Sequence, residues 1–393
     1  MNERNLIKPD TEFISYIKKN GGDSLKKCFQ CASCSVVCSL SPQDNAFPRK
    51  EMISASWGQK EFLLSDPDVW LCHGCTDCST YCPRGAKPGD VLAAIRSYIV
   101  EFFAFPKFMG SILREPKYLI PLLLVPFIIL FGILYVNLGG DFSQLNNGEI
   151  IFARFFPHGI LEIFFMGGNL LIFSFAGIGL YRYWQNLNSF IPVNKKESFI
   201  NVFMKTISEI LTHKNFNICS TNPARFWGHL LIFYGFLGAM ATAALALISD
   251  LFFNLSAPIP LFNPIKILGN LSGLAMLIGC IMVIIKRLQT KENISSNTYS
   301  DWILILFMFG VALTGLLTEA MRLTTTPFIA YNTYYVHLVF IFFLLWYAPY
   351  SKLAHMFYRT LALVYLNMNN RNMKDLVFGQ SVSNTHYEYV NQS

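Results

Sequence analysis

The chain has 393 residues, 53% of them hydrophobic, 15% aromatic and only 14% charged, with a formal net charge of +7. Soluble domains carry about a quarter of their residues as charges, so a soluble enzyme is excluded and most of this chain is expected in lipid. The 36 Phe, with no glycine period and no proline-rich tract, also exclude disorder and collagen-like repetition.

Residues 1–117 hold charge, turn residues and eight of the ten cysteines, whereas nearly every long apolar run follows Tyr118. Met1 to Gly22 is polar and offers neither an apolar h-region nor a small-residue cleavage site, so no cleavable signal peptide is expected. That places the N-terminus in the reducing cytoplasm, where thiols serve metal or redox chemistry rather than disulfides.

Cys28, Cys31, Cys34 and Cys38 form one run, and Cys72, Cys75, Cys78 and Cys82, followed by Pro83, form a second. Both have the C-x2-C-x2-C-x3-C spacing that wraps a [4Fe-4S] cube. Three thiolates at two-residue gaps on a tight loop reach three irons of one cube, while the fourth points away and, in paired clusters, belongs to the other cube. Cluster one is therefore expected on Cys28, Cys31, Cys34 and Cys82, and cluster two on Cys38, Cys72, Cys75 and Cys78. A pair of zinc sites is the alternative, because C-x2-C is also a zinc spacing. Two full four-cysteine runs, in a chain with histidines in its apolar spans, favour the clusters.

Between the runs, Phe47 to Met52 predicts a short helix starting near Pro48. After the second run, Arg84 to Gly89 reads as a loop, and Asp90 is placed to cap a helix running to about Ala104. Residues 1–104 thus form a small helical two-cluster domain. Arg49, Arg84 and Lys87 are candidates to tune a cluster or to dock an acidic partner, although solvated surface charge is the plainer account. His73 is placed to hydrogen-bond a cluster sulfur without ligating iron.

A linker, 105–117, leads to a membrane domain over 118–358 with a cytoplasmic loop at 183–225, and a cytoplasmic tail follows over 359–393. Six runs are long enough to span about 30 Å of hydrocarbon: Tyr118 to Val136, Gly159 to Tyr181, Trp227 to Ser249, Ile267 to Ile285, Trp302 to Thr318 and Thr333 to Tyr350. The fifth is short, with Asp301 and Glu319 bracketing it. Arg182, Lys195, Lys196, Lys205, Lys214, Arg225, Lys286, Arg287 and Lys291 fall in the connections on the cytoplasmic side, against Arg154, Lys266 and Arg322 outside. This obeys the positive-inside rule and returns the C-terminus, with Lys352, Arg359, Arg371 and Lys374, to the cytoplasm of an inner membrane. Orientation then accounts for the net charge, and no nucleic-acid partner is expected.

His337 and His355 are 18 residues apart, five helical turns, so one helix would carry both on one face about 27 Å apart. His229 matches His355 at the inner edge and His158 matches His337 at the outer edge, a pattern for two bis-histidine haems b. His213 is a possible substitute for His355, which Pro349 precedes and which a kink would move. No C-x-x-C-H occurs, so covalent haem is excluded. Gly159, Gly167, Gly168, Gly177, Gly228, Gly235 and Gly238 suit either a flat macrocycle or plain helix packing. Glu162, one turn after His158 on the same face, is a candidate quinone or proton site, with snorkelling to the interface as the alternative. Glu319 and Arg322 are placed to pair. The chain shows no Walker motif, Gly-rich phosphate loop or nucleophile-base motif.

The stretches Cys28 to Cys38, Phe47 to Met52, Trp70 to Cys78 and Tyr81 to Arg96 resemble the HdrC-type iron-sulfur subunit of heterodisulfide reductases. The membrane half is similar to the cytochrome b subunit of respiratory nitrate reductases. Together they resemble the membrane subunits of quinone-interacting membrane-bound oxidoreductase (Qmo) complexes. The resemblance implies an all-α protein, a two-[4Fe-4S] domain followed by a six-helix cytochrome b bundle. It also implies electron exchange between menaquinone and two soluble HdrA-like flavin and iron-sulfur subunits, serving adenylylsulfate reductase. In the nitrate-reductase relatives a second ligand lies ten residues after the position of His229; here Ala239 stands there, so an outer haem must recruit His158 or be absent. A haem-free anchor for the cluster domain and a heterodisulfide- or sulfite-linked menaquinol oxidoreductase subunit are the rival expectations.

Overall fold

The computed structural model describes residues 8–41, 46–145, 150–190, 193, 198–213, 223–253, 259–289, 295, 298–324 and 326–369, and these form helices with no strand among them. The protein is all-α, with a small dicluster domain ahead of six helices long and apolar enough to cross a membrane.

The N-terminal part comprises α1 (Thr11–Lys19), α2 (Ser33–Val36), α3 (Arg49–Ser56), α4 (Lys60–Ser65), α5 (Asp77–Thr80), α6 (Pro88–Phe103) and α7 (Lys107–Ile112). Asp10 caps α1, its Oδ1 accepting from the Phe13 N–H at 2.8 Å, and the helix buries Phe13 and Ile17. The helix expected near Pro48 is α3. Asp90 does not cap α6; it lies in the first turn, because Pro88, whose ring fixes φ, already opens the helix.

The membrane part comprises α8 (Leu119–Asn137), α9 (Phe152–Phe155), α10 (His158–Phe190), α11 (Phe199–Leu211), α12 (Pro223–Phe253), α13 (Pro264–Gln289), α14 (Tyr299–Arg322), α15 (Pro327–Trp346) and α16 (His355–Met368). Asp301 and Glu319 lie inside α14 rather than bracketing a shorter span. Asp301 closes a capping box with Thr298 and pairs with Lys352 and with Arg287 at 3.3 Å. Glu319 pairs with Lys266 and with Arg322 at 3.1 Å, so each acid has a cationic partner where an unpaired one would be costly. Lys195, Lys196, Lys214, Lys291, Arg371 and Lys374 lie outside the described residues.

The expectation that one helix carries His337 and His355 is corrected by the chain around Pro349. α15 stops at Trp346, two single turns follow at Ala348–Tyr350 and Lys352–Ala354, and His355 opens α16. Proline lacks the N–H that would continue the helix, so the five-turn register between the two histidines does not exist. Residues 359–368, expected as tail, are helical. Gly228, Gly235 and Gly238 close α12 on α13: a Cβ on Gly235 would lie 2.8 Å from the Ser272 carbonyl oxygen, so these three serve helix packing.

The soluble and membrane parts share one core. Phe13, Ile17, Leu25, Val69, Trp70 and Ile95 cluster with Tyr183 and Leu187 of α10 and with Tyr358, Ala362 and Tyr365 of α16. Trp70, two residues before Cys72, is stacked on Tyr358 with centroids 5.8 Å apart. The Tyr365 hydroxyl donates to the Leu187 carbonyl at 3.1 Å, and Asn186 Nδ2 donates to Ser65 Oγ at 2.9 Å. Burying large aromatics in one continuous core fixes the cysteine loops against one end of the membrane helices.

Candidate metal centres and the cavity between them

The two cysteine runs fold the same way. Gln30 and Ala32 in the first, and Gly74 and Thr76 in the second, hold φ of 60°, 67°, 63° and 74°. These left-handed residues curl the backbone around its own thiolates: the Gln30 N–H points at Cys28 Sγ at 3.4 Å and the Gly74 N–H at Cys72 Sγ at 3.2 Å. Ala32 and Thr76 then lead into α2 and α5, which carry Cys34 and Cys78. N–H donors aimed at sulfur stabilise thiolates on a cluster.

The thiols associate across the runs. Burial pushes the Cys34 thiol up to about 11, with Cys28 and then Cys82 adding repulsion. It pushes Cys38 up to about 12, and there Cys72 and Cys75 are the neighbours that add to it. Cys78 is raised by burial, then by Cys72, Cys75 and Cys38. Cys34 thus has Cys28 and Cys82 as neighbours and Cys38 has Cys72 and Cys75, while Cys78 has Cys34 near it as well as Cys72, Cys75 and Cys38. Among the described residues no three sulfurs lie within 4.8 Å of one another.

Around the first loop, Arg49 Nε donates to the Gln30 carbonyl at 2.9 Å and the Arg84 guanidinium lies 4.0 Å from the Phe29 ring centroid. Cys31, Phe29, Val36 and Tyr81 are exposed there. The second loop faces inward. A cavity of about 300 Å³ has Cys72, His73, Gly74, His229 and His355 among its lining residues. His355 Nδ1 lies 2.6 Å from the Lys352 carbonyl oxygen. Since a carbonyl only accepts, Nδ1 carries the proton and Nε2 keeps the lone pair a metal needs. Burial holds His355 down at about 4, so its imidazole is neutral. A neutral imidazole with its lone pair on Nε2, lining the same cavity as a second imidazole, fits haem iron. His73 is half-buried and pulled down to about 2, first by desolvation and then by Arg359 and Arg225.

The structure does not bring His337 toward α10. On α15, Phe342 stacks on Phe164 at 6.0 Å and Trp346 covers Gly168, and these positions are about 140° and 180° around the helix from His337. His337 faces α14, its Nδ1 3.0 Å from Thr314 Oγ1 and its ring against Gly315. His158 opens α10, and its side chain lies outside the described set. His213 lies beside His229, ring centroids 5.6 Å apart, and is not in the cavity wall. Glu162 is half-buried on α10.

Two groupings went unnoticed in the sequence. Arg225 and Arg359 line the cavity, four residues from His229 and His355 respectively, and that spacing was the available signal. Lys50 Nζ lies among three buried carboxylates, 3.3 Å from Glu51, 3.1 Å from Asp66 and 2.9 Å from Asp68. The acids are the one close trio of metal-type ligands among the described residues, and the lysine supplies their cation.

The family profile described as CitB: Citrate utilization protein B matches residues 114–375, and that of the 4Fe-4S dicluster domain matches residues 24–86. The C subunit of the H(2):CoB-CoM heterodisulfide,ferredoxin reductase of Methanothermobacter marburgensis is 38% identical over 98 residues, 24% of this chain and 53% of that protein. A protein of Archaeoglobus profundus described as like the heterodisulfide reductase C subunit is 32% identical over 114 residues, 29% of this chain and 58% of that protein. The E subunit of the dihydromethanophenazine:CoB--CoM heterodisulfide reductase of Methanosarcina mazei is 24% identical over 234 residues, 50% of this chain and 88% of that protein. The chain spans about half the length of the two C-type relatives. No solved structure matches. An iron-sulfur domain of the heterodisulfide reductase C type is thus joined to a multi-pass membrane region, in a chain homologous to the C and E subunits.

Proposed function

The chain belongs, over residues 114–375, to the Citrate utilization protein B family, and on that footing we propose that it is the membrane electron-transfer subunit of a quinone-linked oxidoreductase. Electrons pass between menaquinone and soluble HdrA-like flavin and iron-sulfur subunits, by way of haem b and two [4Fe-4S] clusters. The observation that carries this is the cavity whose walls include both Cys72 to Gly74 and the imidazoles of His229 and His355. Haem there supplies one-electron chemistry beside the second cluster. His229 and His355 would hold the haem; Cys38, Cys72, Cys75 and Cys78 would hold the near cluster, and Cys28, Cys31, Cys34 and Cys82 the far one.

The far loop, with Cys31, Phe29, Val36 and Tyr81 at the surface, is the exit toward the partner subunits. Glu162 handles the proton that quinone chemistry releases or takes up, being a carboxylate within a membrane helix with no hydrogen bond or ion pair among the described residues. Both termini lie on the cytoplasmic side, as the lysine and arginine bias requires. The outer haem on His158 and His337 has no comparable support, because His337 faces α14. A complex of the Qmo type, delivering electrons to adenylylsulfate reductase, is the setting we favour. The likeness to the C and E subunits of heterodisulfide reductases favours a heterodisulfide-linked complex as the second reading.

The test is reoxidation of the dithionite-reduced, detergent-purified chain by a short-chain naphthoquinone. Haem and cluster absorbance should return together in the parent chain and return more slowly in Glu162→Gln. Clusters that stay reduced while free naphthoquinone is present contradict the proposal.

A further inference from the structure

Two helices present the same pair of side chains to the cavity. On α12, Arg225 precedes His229 by four residues; on α16, Arg359 follows His355 by four. Residues four apart share a helix face, so each imidazole has a guanidinium one turn away. Arg225 is on the side of the second cysteine loop, its Nη2 2.8 Å from where a Cβ on Gly74 would stand, and Arg359 lines the same cavity as that loop.

Among the described residues, five cationic side chains and no carboxylate line this cavity. Three of the five are engaged beside it: Lys352 with Asp301, Arg114 with Glu101 at 3.2 Å, and Arg96 with the Val69 carbonyl at 2.9 Å. Arg359 has interactions of its own, and Arg225 makes no ion pair among the described residues. Such concentrated positive charge around one cavity calls for an anionic occupant, because cations gathered without a counter-charge repel one another.

We propose that Arg225 and Arg359 form a carboxylate clamp that holds the two propionates of the haem ligated by His229 and His355. The assignment rests on the haem reading above. Haem b brings two carboxylates, and the guanidinium fork matches a carboxylate with two parallel N–H donors. With the arginines one turn from the imidazoles and Arg225 on the cysteine-loop side, the carboxylate edge is the edge toward the second cluster. The clamp then both retains the haem and sets the charge between haem and cluster.

The experiment uses the full chain in detergent with Arg225→Gln, Arg359→Gln, the double variant, Arg225→Lys, His229→Ala and His355→Ala. Haem per chain, haem lost on repeated washing and the haem midpoint potential are read, with cluster absorbance as the folding control. Each Arg→Gln should wash out haem about tenfold faster, the effect of one charge-assisted hydrogen bond, and lower the midpoint potential. Arg225→Lys should restore the potential more fully than the retention, because it returns the charge without the fork. A double variant matching the parent in retention and potential overturns the clamp while leaving the haem reading intact, and would mean that the cations serve another anion such as a phosphate. Should the double variant not accumulate, the single variants decide by the same wash-out rate. Haem retained in both histidine variants overturns the haem reading and the clamp with it.

Discussion

Arg225, near the start of a membrane helix, reaches to within 2.8 Å of the point where a Cβ on Gly74 would stand, so the membrane part touches the backbone of the second cysteine loop. Gly74 also holds φ of +63°, a conformation that favours glycine. Both demands at one residue tie the geometry of a cluster loop to a cation in the cavity beneath it. With Trp70 stacked on Tyr358, they make the interval from loop to cavity a property of the fold rather than of a tether.

Gly74→Ala and Gly85→Ala separate the two demands. Gly85 has φ of +66° and nothing within 4 Å of an added Cβ, so its variant bears backbone strain alone, about 1–2 kcal/mol. Gly74→Ala bears the same strain and must also displace Arg225. Both should lower the temperature at which cluster absorbance bleaches, while only Gly74→Ala should alter the haem spectrum. Equal effects of the two on the haem would contradict the contact.

Cluster assignment is tested by the crossed cysteines. Cys82→Ser should remove the electron paramagnetic resonance signal of the cluster held by Cys28, Cys31 and Cys34, and Cys38→Ser that of the cluster held by Cys72, Cys75 and Cys78. Cys75→Ser should lose the second cluster and keep haem. If Cys38→Ser instead removed the cluster of its own run, each run would hold its own cube.

The buried charge cluster makes a stability prediction with a definite sign. Burial holds the Glu51 carboxyl well above the usual carboxylate range. As pH rises past the ordinary glutamate value, the unfolded chain loses this proton while the folded chain keeps it, so stability falls with rising pH until the folded value is passed. Glu51→Gln should flatten that slope, measured as the melting temperature of the purified chain between pH 5 and 8. Lys50→Met should destabilise by about 3–5 kcal/mol, because it leaves Asp66 and Asp68 buried without their cation. A Lys50→Met chain as stable as the parent would contradict the pairing.

The cysteine loops were legible because ligand spacing is a local property, read directly from the order of residues. Their left-handed turns were not, since Gln30, Ala32 and Thr76 hold positive φ without being glycine. Apolar run length located the six spans, but the ends were misjudged where charge is paired. Asp301 marked an apparent boundary only because Arg287 and Lys352, distant in sequence, could not be seen to neutralise it. The single helix expected to carry His337 and His355 fails for a local reason, the break at Pro349, which outranks an 18-residue periodicity. Which face of α15 meets α10 is decided by Phe342 and Trp346 against Phe164 and Gly168, a tertiary choice that periodicity leaves open. Arg225 and Arg359 were read as orientation signals alone, although each stands one turn from a histidine.

The most direct test of the account is an oxidised-minus-reduced visible spectrum of the purified chain, with iron, acid-labile sulfide and pyridine-haemochrome assays on the same sample, for the parent and for His229→Ala. The account predicts about eight cluster irons per chain, as two four-iron cubes require, together with b-type haem that His229→Ala abolishes while the clusters remain. Clusters with no haem in the parent chain would contradict it, and would reduce the membrane helices to an anchor.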